Sequence, residues 1–123
     1  MLKGRYITTL DKSGRVRLPS KFRKSLEGDC GNEVFVTSLD GENVHIFPVP
    51  EWMKMTRVLD EKRLENPNVR SFVRRVNRLG VRREIDNQGR ILIHKELREK
   101  VKLLRKIVLE GAENHLIFRH NAF

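Results

Sequence analysis

Arg15 and Arg90 are the two side chains of this sequence whose type and setting could do the most chemistry. Each closes an Asp-x-x-Gly-Arg motif, at residues 11–15 (the first loop) and residues 86–90 (the second loop). An arginine guanidinium is a planar set of donors that pairs bidentately with a guanine edge or with a phosphate. A duplicated motif therefore predicts two equivalent arginine-tipped loops on a surface that binds something repetitive and negatively charged.

The other fixed positions of the motif indicate how each loop is held. Gly14 and Gly89 can adopt the positive φ that a tight turn needs. Asp11 and Asp86 can accept hydrogen bonds from backbone amides of the turn, or they can orient the arginine four residues later. For the aspartates we favour a structural role, in which each Asp–Arg pair only closes its turn. For the arginines, the repetition and the surrounding positive charge favour binding instead.

Positive charge is concentrated in the two segments that carry the loops. The chain has 26 Lys and Arg against 16 Asp and Glu, a formal net charge of +10. Residues 1–24 and 70–106 are strongly basic, whereas residues 25–69 are acidic. This segregation favours a polyanion-binding face over ordinary solvated surface charge. The basic residues near the loops are predicted to contact phosphate without reading sequence: Lys3, Arg5, Lys12, Arg17, Arg82 and Arg83.

Each loop leads into the same local pattern, a short apolar strand followed by a short helix. The predicted strands cover residues 6–10, 15–18, 33–38, 43–47, 90–93, 107–109 and 115–119, and the predicted short helices cover residues 20–26 and 95–101. Between the two copies, a helix starts near Pro50, breaks at residues 66–68 and is followed by another helix over residues 70–79.

These elements predict a mainly β fold with short helices, of the α+β class. We expect a first repeat at residues 1–50, a helical connector at 51–80 and a second repeat at 81–123. Each repeat has too few apolar residues for a core of its own. The two repeats should therefore interleave around one shared core, with the connector helices packed outside.

No other group of residues indicates catalysis or metal binding. The histidines, His45, His94, His115 and His120, include no helical i, i+4 pair, and Cys30 lies in an acidic loop that would not activate its thiol. We therefore expect no enzyme activity, no metal and no cofactor. The sequence has no apolar run of membrane-spanning length and no apolar signal core, so we expect a cytoplasmic protein without a membrane partner.

The motifs and their order resemble the MraZ family of bacterial transcriptional regulators, within the broader AbrB-like group. The matching segments are residues 4–6, 10–23, 51–52, 86–93, 97–98 and 108–111, while His94 and Phe118 stand where the family commonly has proline and tryptophan. The resemblance implies a pseudo-two-fold double-split β-barrel that assembles into a ring-like homo-oligomer. It also implies binding to short direct DNA repeats upstream of the division and cell-wall gene cluster, in the nucleoid, with Arg15 and Arg90 as the main contacts.

Two other functions remain open at this point. The charge would suit a basic RNA-binding module, although the few aromatic residues occupy core-like positions rather than the exposed positions that stack on single-stranded bases. The arginine loops could also bind an acidic partner protein, as in an assembly or antitoxin-like protein. Competition between duplex DNA and single-stranded RNA, and the salt dependence of binding, would separate these functions.

Overall fold

A computed structural model describes residues 2–27 and 31–119, so Cys30 and His120 lie outside the described residues. The order β–β–α–β–β occurs twice, before and after a pair of longer helices. The first copy contains β1 (Arg5–Thr9), β2 (Arg15–Arg17), α1 (Ser20–Glu27), β3 (Glu33–Thr37) and β4 (Val44–Pro48). The longer helices are α2 (Val49–Arg63) and α3 (Pro67–Leu79), and the second copy contains β5 (Val81–Glu84), β6 (Arg90–Leu92), α4 (Lys95–Val101), β7 (Lys106–Gly111) and β8 (Leu116–Arg119).

The strand order shows a pseudo-two-fold relation between the two copies. Six strands form one antiparallel sheet in the order β1-β7-β8-β4-β3-β5, and β2 pairs with β6 in a two-stranded ribbon. The counterparts in this sheet are β1 and β5, β3 and β7, and β4 and β8. If each strand is replaced by its counterpart, the same order is obtained when it is read from the opposite edge. The predicted mainly β, α+β fold is therefore confirmed. The strands of the described ranges do not close into a continuous hydrogen-bonded barrel, because β1 and β5 form the two edges of the sheet.

Alternation along β3 and β4 separates two apolar clusters on opposite faces of the sheet. Val34, Val36 and Ile46 face the main core, which also contains residues of α1, α4 and the ribbon. Phe35 and Phe47 face the other way, towards the longer helices. Because side chains alternate across a strand, one sheet can serve both clusters. The main core thus lies directly beneath the ribbon that carries the two loops.

The longer helices pack against the outer face of the sheet. Trp52 of α2 stacks on Phe35 with ring centroids 4.2 Å apart, and Thr37 Oγ1 donates a hydrogen bond of 2.7 Å to the carbonyl oxygen of Val76 in α3. Helix α3 begins at Pro67, earlier than the predicted residue 70, because the Asn66 side chain accepts the Asn68 amide at 2.9 Å and caps the helix. The residues predicted only as a break therefore also start the next helix.

Candidate nucleic-acid interface

The β2–β6 ribbon joins the two Asp-x-x-Gly-Arg loops side by side. Arg15 lies opposite Leu92, and Arg17 lies opposite Arg90. Two backbone hydrogen bonds of 2.8 Å extend the pairing into the loops: the Leu18 amide donates to the carbonyl oxygen of Gly89, and the Ile93 amide donates to that of Gly14. Each loop is consequently fixed by the strand that belongs to the other copy.

The first loop is a tight turn closed by the Asp11 carboxylate. Asp11 Oδ1 accepts the amides of Ser13 at 2.8 Å and Arg15 at 2.9 Å, and Gly14 has a φ of 83°. The hydrogen bond from the Arg15 amide is the main reason that the pKa of Asp11 lies below its usual value. Within the described residues the Arg15 guanidinium has no hydrogen bond or ion pair, so it is available to a ligand.

The second loop has the same backbone hydrogen bonds as the first, but its arginine side chain is bonded to the aspartate. Asp86 Oδ1 accepts the amides of Gln88 at 2.9 Å and Arg90 at 2.8 Å, while its Oδ2 accepts Arg90 Nε at 2.8 Å. The amide of Arg90 is the largest cause of the lowered pKa of Asp86. The ion pair uses Nε, so both Nη groups of Arg90 remain without a partner among the described residues. Asp86 therefore orients an arginine, which Asp11 does not do.

Three guanidinium groups line one open groove beside the ribbon. Arg15, Arg17 and Arg90 share a groove of about 570 Å³ with β1 and the start of α1, and Asp11 is its one acidic residue. Because the guanidinium groups outnumber the carboxylate, the groove favours an anionic ligand. Within the described ranges, the Arg17 side chain makes one hydrogen bond, from Nη2 to Gln88 Oε1 at 3.5 Å.

Strand β1 contributes three groove residues that the sequence did not indicate: Ile7, Thr8 and Thr9. Ile7 lies in the groove wall with its side chain 64% exposed, and Thr8 Oγ1 donates a 2.8 Å hydrogen bond to the carbonyl oxygen of Arg17. Ile7 is paired with Val108 of β7 through its backbone, so its position in the groove wall is fixed. The β-rich composition of β1 predicted the strand, but no feature of the sequence showed which of its faces would border the groove.

The structure brings only some of the predicted basic residues to this groove. Lys12 is exposed at the tip of the first loop. Arg5 is the first residue of β1, opposite Glu110 and about 13 Å along the strand from Thr9, and Lys3 precedes the strand at the same end. The direction of β1 thus carries both residues away from the loop that they precede in sequence.

The two basic residues before the second loop, Arg82 and Arg83, lie on β5, away from the groove. Arg82 forms a 3.3 Å ion pair with Glu33 of the neighbouring strand β3. Arg83 is half-buried opposite Val34, and its Nε is buried without a hydrogen-bond partner. Neither residue lines the groove.

His45 and His94 lie in partly or fully buried positions away from the groove. His94 is the N-cap residue of α4, and its Nε2 lies 2.8 Å from the carbonyl oxygen of Leu79; burial is the main cause of its lowered pKa. Burial also lowers the pKa of His45 to about 4.

Among residues 2–27 and 31–119 no group of three or more His, Cys, Asp or Glu could hold a metal ion. In the same ranges, no helix is both long and apolar enough to cross a membrane.

The pseudo-two-fold, mainly β fold with two Asp-x-x-Gly-Arg loops on a shared ribbon places the chain in a class of internally duplicated proteins. The family model described as "MraZ protein, putative antitoxin-like" matches residues 1–75 and 81–122. The chain belongs to the MraZ family.

Relatives in several bacteria match most of the chain. A protein of Acidobacterium capsulatum named Transcriptional regulator MraZ is 35% identical over 124 residues, covering 100% of this chain and 85% of the relative. Relatives of the same name from Pediococcus pentosaceus and Pseudomonas aeruginosa are 35% and 34% identical, and they cover 94% and 93% of this chain and 78% and 76% of their own lengths. These names agree with the prediction that the chain is not an enzyme.

Proposed function

We propose that this protein is a transcriptional regulator that binds double-stranded DNA through the groove beside the β2–β6 ribbon. The observation that carries the proposal is the set of three guanidinium groups, Arg15, Arg17 and Arg90, on one open groove. The relatives' printed names support the regulatory role. The net charge of +10 supports a nucleic-acid partner, because phosphate contacts supply most of the affinity of such complexes.

In this proposal the two loop arginines read base edges and their neighbours hold the phosphates. Arg15 has a free guanidinium, and Arg90 presents two free Nη groups while Asp86 holds its Nε. Both can pair bidentately with guanine O6 and N7. Lys12 and Arg17 are exposed next to them and contact the backbone. Asp11, Gly14, Asp86 and Gly89 maintain the loop geometry.

The predicted phosphate contacts outside the groove would serve a longer stretch of DNA. Lys3 and Arg5 could reach only backbone beyond the groove, because β1 carries them to its far end. Arg82 would have to exchange its ion pair with Glu33 for a phosphate. We therefore expect smaller losses of affinity from substitutions at these positions, and at Arg83, than at Arg15 or Arg90.

The proposed target is a set of short direct repeats upstream of the division and cell-wall gene cluster, bound by a ring-like homo-oligomer in the nucleoid. One groove offers few contacts, so a single subunit would bind a single repeat weakly. Several subunits on several repeats would gain affinity through multivalency. An operator with scrambled repeats should then bind far more weakly than the intact operator. Equal binding of both would contradict the multivalent mechanism.

The placement of aromatic side chains favours duplex DNA over single-stranded RNA. Phe22, Phe47, Trp52 and Phe118 are buried, and the remaining aromatic residues of the described ranges are half-buried in the two apolar clusters. Recognition of single-stranded bases normally relies on exposed stacking rings. A basic groove without such rings is better suited to a phosphate backbone and groove edges.

The test is the binding of wild type, Arg15→Ala and Arg90→Ala to duplex DNA from upstream of the gene, measured by fluorescence anisotropy at two salt concentrations. Arg57→Ala is the matched control, because it removes one charge from an exposed position of α2. We expect both loop substitutions to abolish sequence-selective binding while circular dichroism shows an intact fold. The logarithm of the wild-type affinity should fall with the logarithm of salt concentration, with a slope of about −0.9 per phosphate contacted.

Three results would contradict the proposal. Sequence-selective binding that survives both loop substitutions would make the loops structural turns only. Preferential binding of single-stranded RNA in competition would favour an RNA-binding module. Absence of DNA binding together with binding to an acidic protein would favour an assembly or antitoxin-like role.

A further inference from the structure

Two helix arginines, Arg23 in α1 and Arg98 in α4, occupy the same position in their helices, and each lies against the loop of the other copy. We propose that Arg23 and Arg98 are positioning residues: Arg98 holds the first loop, which carries Arg15, and Arg23 holds the second loop, which carries Arg90. This inference rests on the proposed DNA-binding function of the loops, and it adds residues that act on DNA only through them.

Contacts at the two loop glycines show the crossed arrangement. A Cβ added to Gly14 would lie 3.1 Å from both Cζ and Nε of Arg98, so the guanidinium covers the open side of this glycine. A Cβ added to Gly89 would lie 3.2 Å from Cδ and 3.5 Å from Nη1 of Arg23. Both glycines are buried although they belong to surface loops. The side chains that bury them thus include an arginine from the opposite copy.

Hydrogen bonds fix the two arginines in these places. Arg23 Nη2 donates to the carbonyl oxygens of Asn87 at 3.3 Å and Asp86 at 3.5 Å, and its Nε donates to Glu27 Oε1 at 3.1 Å. Arg23 therefore binds the backbone of the second loop directly. It also forms an i, i+4 ion pair within α1, so its charge is already partly neutralised.

Arg98 holds the first loop by a slightly different route. Its Nε donates to the carbonyl oxygen of Ile93 at 2.9 Å, and the Ile93 amide donates to the carbonyl oxygen of Gly14 at 2.8 Å. The guanidinium, the ribbon strand and the loop glycine are therefore linked in one connected set of contacts. Loss of Arg98 would uncover Gly14 and leave the Ile93 carbonyl without this donor.

These contacts have a physical reason. A glycine with positive φ lets the backbone turn tightly, but it presents no side chain to pack beside the loop. A flat guanidinium can lie against that bare backbone and bond its carbonyl groups at the same time. A lysine carries the same charge but has neither the flat surface nor the fork of donors. The role is thus one of shape and hydrogen bonding, and it differs from a phosphate contact, which a lysine could also make.

Amide hydrogen exchange followed by NMR tests the crossed positioning without DNA. We expect Arg98→Ala to speed exchange of the amides of residues 13–15 by about tenfold or more, with a smaller change at residues 88–90. Arg23→Ala should give the opposite pattern. Lys95→Ala and Lys24→Ala, which remove one exposed charge from the same helices, should change neither loop. The inference is overturned if each arginine substitution acts on the loop of its own copy, on both loops equally, or on neither.

The DNA measurement separates positioning from phosphate contact. The readout is the ratio of the dissociation constants for the scrambled and intact operators. We expect Arg98→Ala and Arg98→Lys each to lower this selectivity ratio about fivefold, a change of about 1 kcal/mol. Restoration of the ratio by lysine, or an equal loss of affinity for both duplexes, would identify a phosphate contact instead.

Failure of the proposed function would be recognised separately, because the wild type would then bind the scrambled and intact operators with equal affinity. The exchange measurement still decides the positioning in that case. If Arg98→Ala does not fold, Arg98→Lys keeps the aliphatic stem and the charge, and its loop exchange provides the same test.

Discussion

Substitution of Gly14 by alanine should destabilise the protein for two separable reasons. The φ of Gly14 is 83°, in the left-handed region, where an alanine costs about 1–2 kcal/mol relative to glycine. The new Cβ would also lie 3.1 Å from Cζ and Nε of Arg98, so the guanidinium must shift by a few tenths of an ångström, and we expect this shift to cost about 1 kcal/mol. The expected total is therefore about 2–3 kcal/mol of unfolding free energy.

Gly31→Ala provides a matched control for the first of these costs. Gly31 has a φ of 74°, and no atom of the described residues lies within 4 Å of a Cβ added there. Urea unfolding of both variants at neutral pH should show Gly14→Ala less stable than Gly31→Ala by about 1 kcal/mol. This difference corresponds to roughly 4 °C in melting temperature for a domain of this size.

A double-mutant cycle isolates the contact with Arg98. In the Arg98→Ala background the side chain that opposes the new Cβ is absent, so Gly14→Ala should cost only what Gly31→Ala costs. Equal destabilisation by the two glycine substitutions in the wild-type background would refute the reasoning. A cost of Gly14→Ala that is unchanged by removal of Arg98 would refute it as well.

Three further predictions concern the sheet, a buried histidine and the loop aspartates. Gly80→Ala should destabilise the fold by about 2 kcal/mol or more in urea unfolding, because its Cβ would overlap the ring of Phe35. Burial lowers the pKa of His45 to about 4, so between pH 6.5 and 4 the unfolded chain binds a proton that the folded chain does not. The free energy of unfolding should therefore fall by about 3 kcal/mol as the pH falls from 6.5 to 4. Urea unfolding of His45→Asn should show a weaker dependence on pH. Asp86→Ala should weaken binding to operator DNA about fivefold more than Asp11→Ala in anisotropy titrations, because only Asp86 holds an arginine Nε.

Local patterns predicted the elements that depend on local interactions. The alternation of Arg15 and Arg17 with Val16 and Leu18 predicted β2, and both apolar residues are buried. The predicted helix over residues 20–26 corresponds to α1, whose buried residues Phe22 and Leu26 lie one turn apart. These predictions succeed because strand alternation and helix periodicity depend on residues that are close together in the sequence.

Interactions between the two copies were not predictable in the same way. Strand β5 was missed because three of its four residues are charged, and it is defined by pairing with β3, some 50 residues earlier in the chain. The contacts of Arg23 and Arg98 likewise join residues far apart in sequence. Local sequence patterns carry no information on which distant loop a helix side chain will contact.

Duplication within one chain allows the two loops to differ, which two identical subunits related by symmetry could not do. The backbone hydrogen bonds of the aspartates are the same in both loops, yet only the second loop ties its arginine to the aspartate. Surroundings differ too: Pro19 precedes α1 in the groove, whereas the half-buried His94, whose pKa is lowered by burial, is the N-cap residue of α4 at the equivalent position. The shared turn thus places the backbones of Arg15 and Arg90 equivalently, whereas the side chains around them differ. Arg15, whose guanidinium has no hydrogen bond or ion pair among the described residues, lies beside Arg90, which Asp86 orients, so one groove offers an unrestrained contact and a preorganised one.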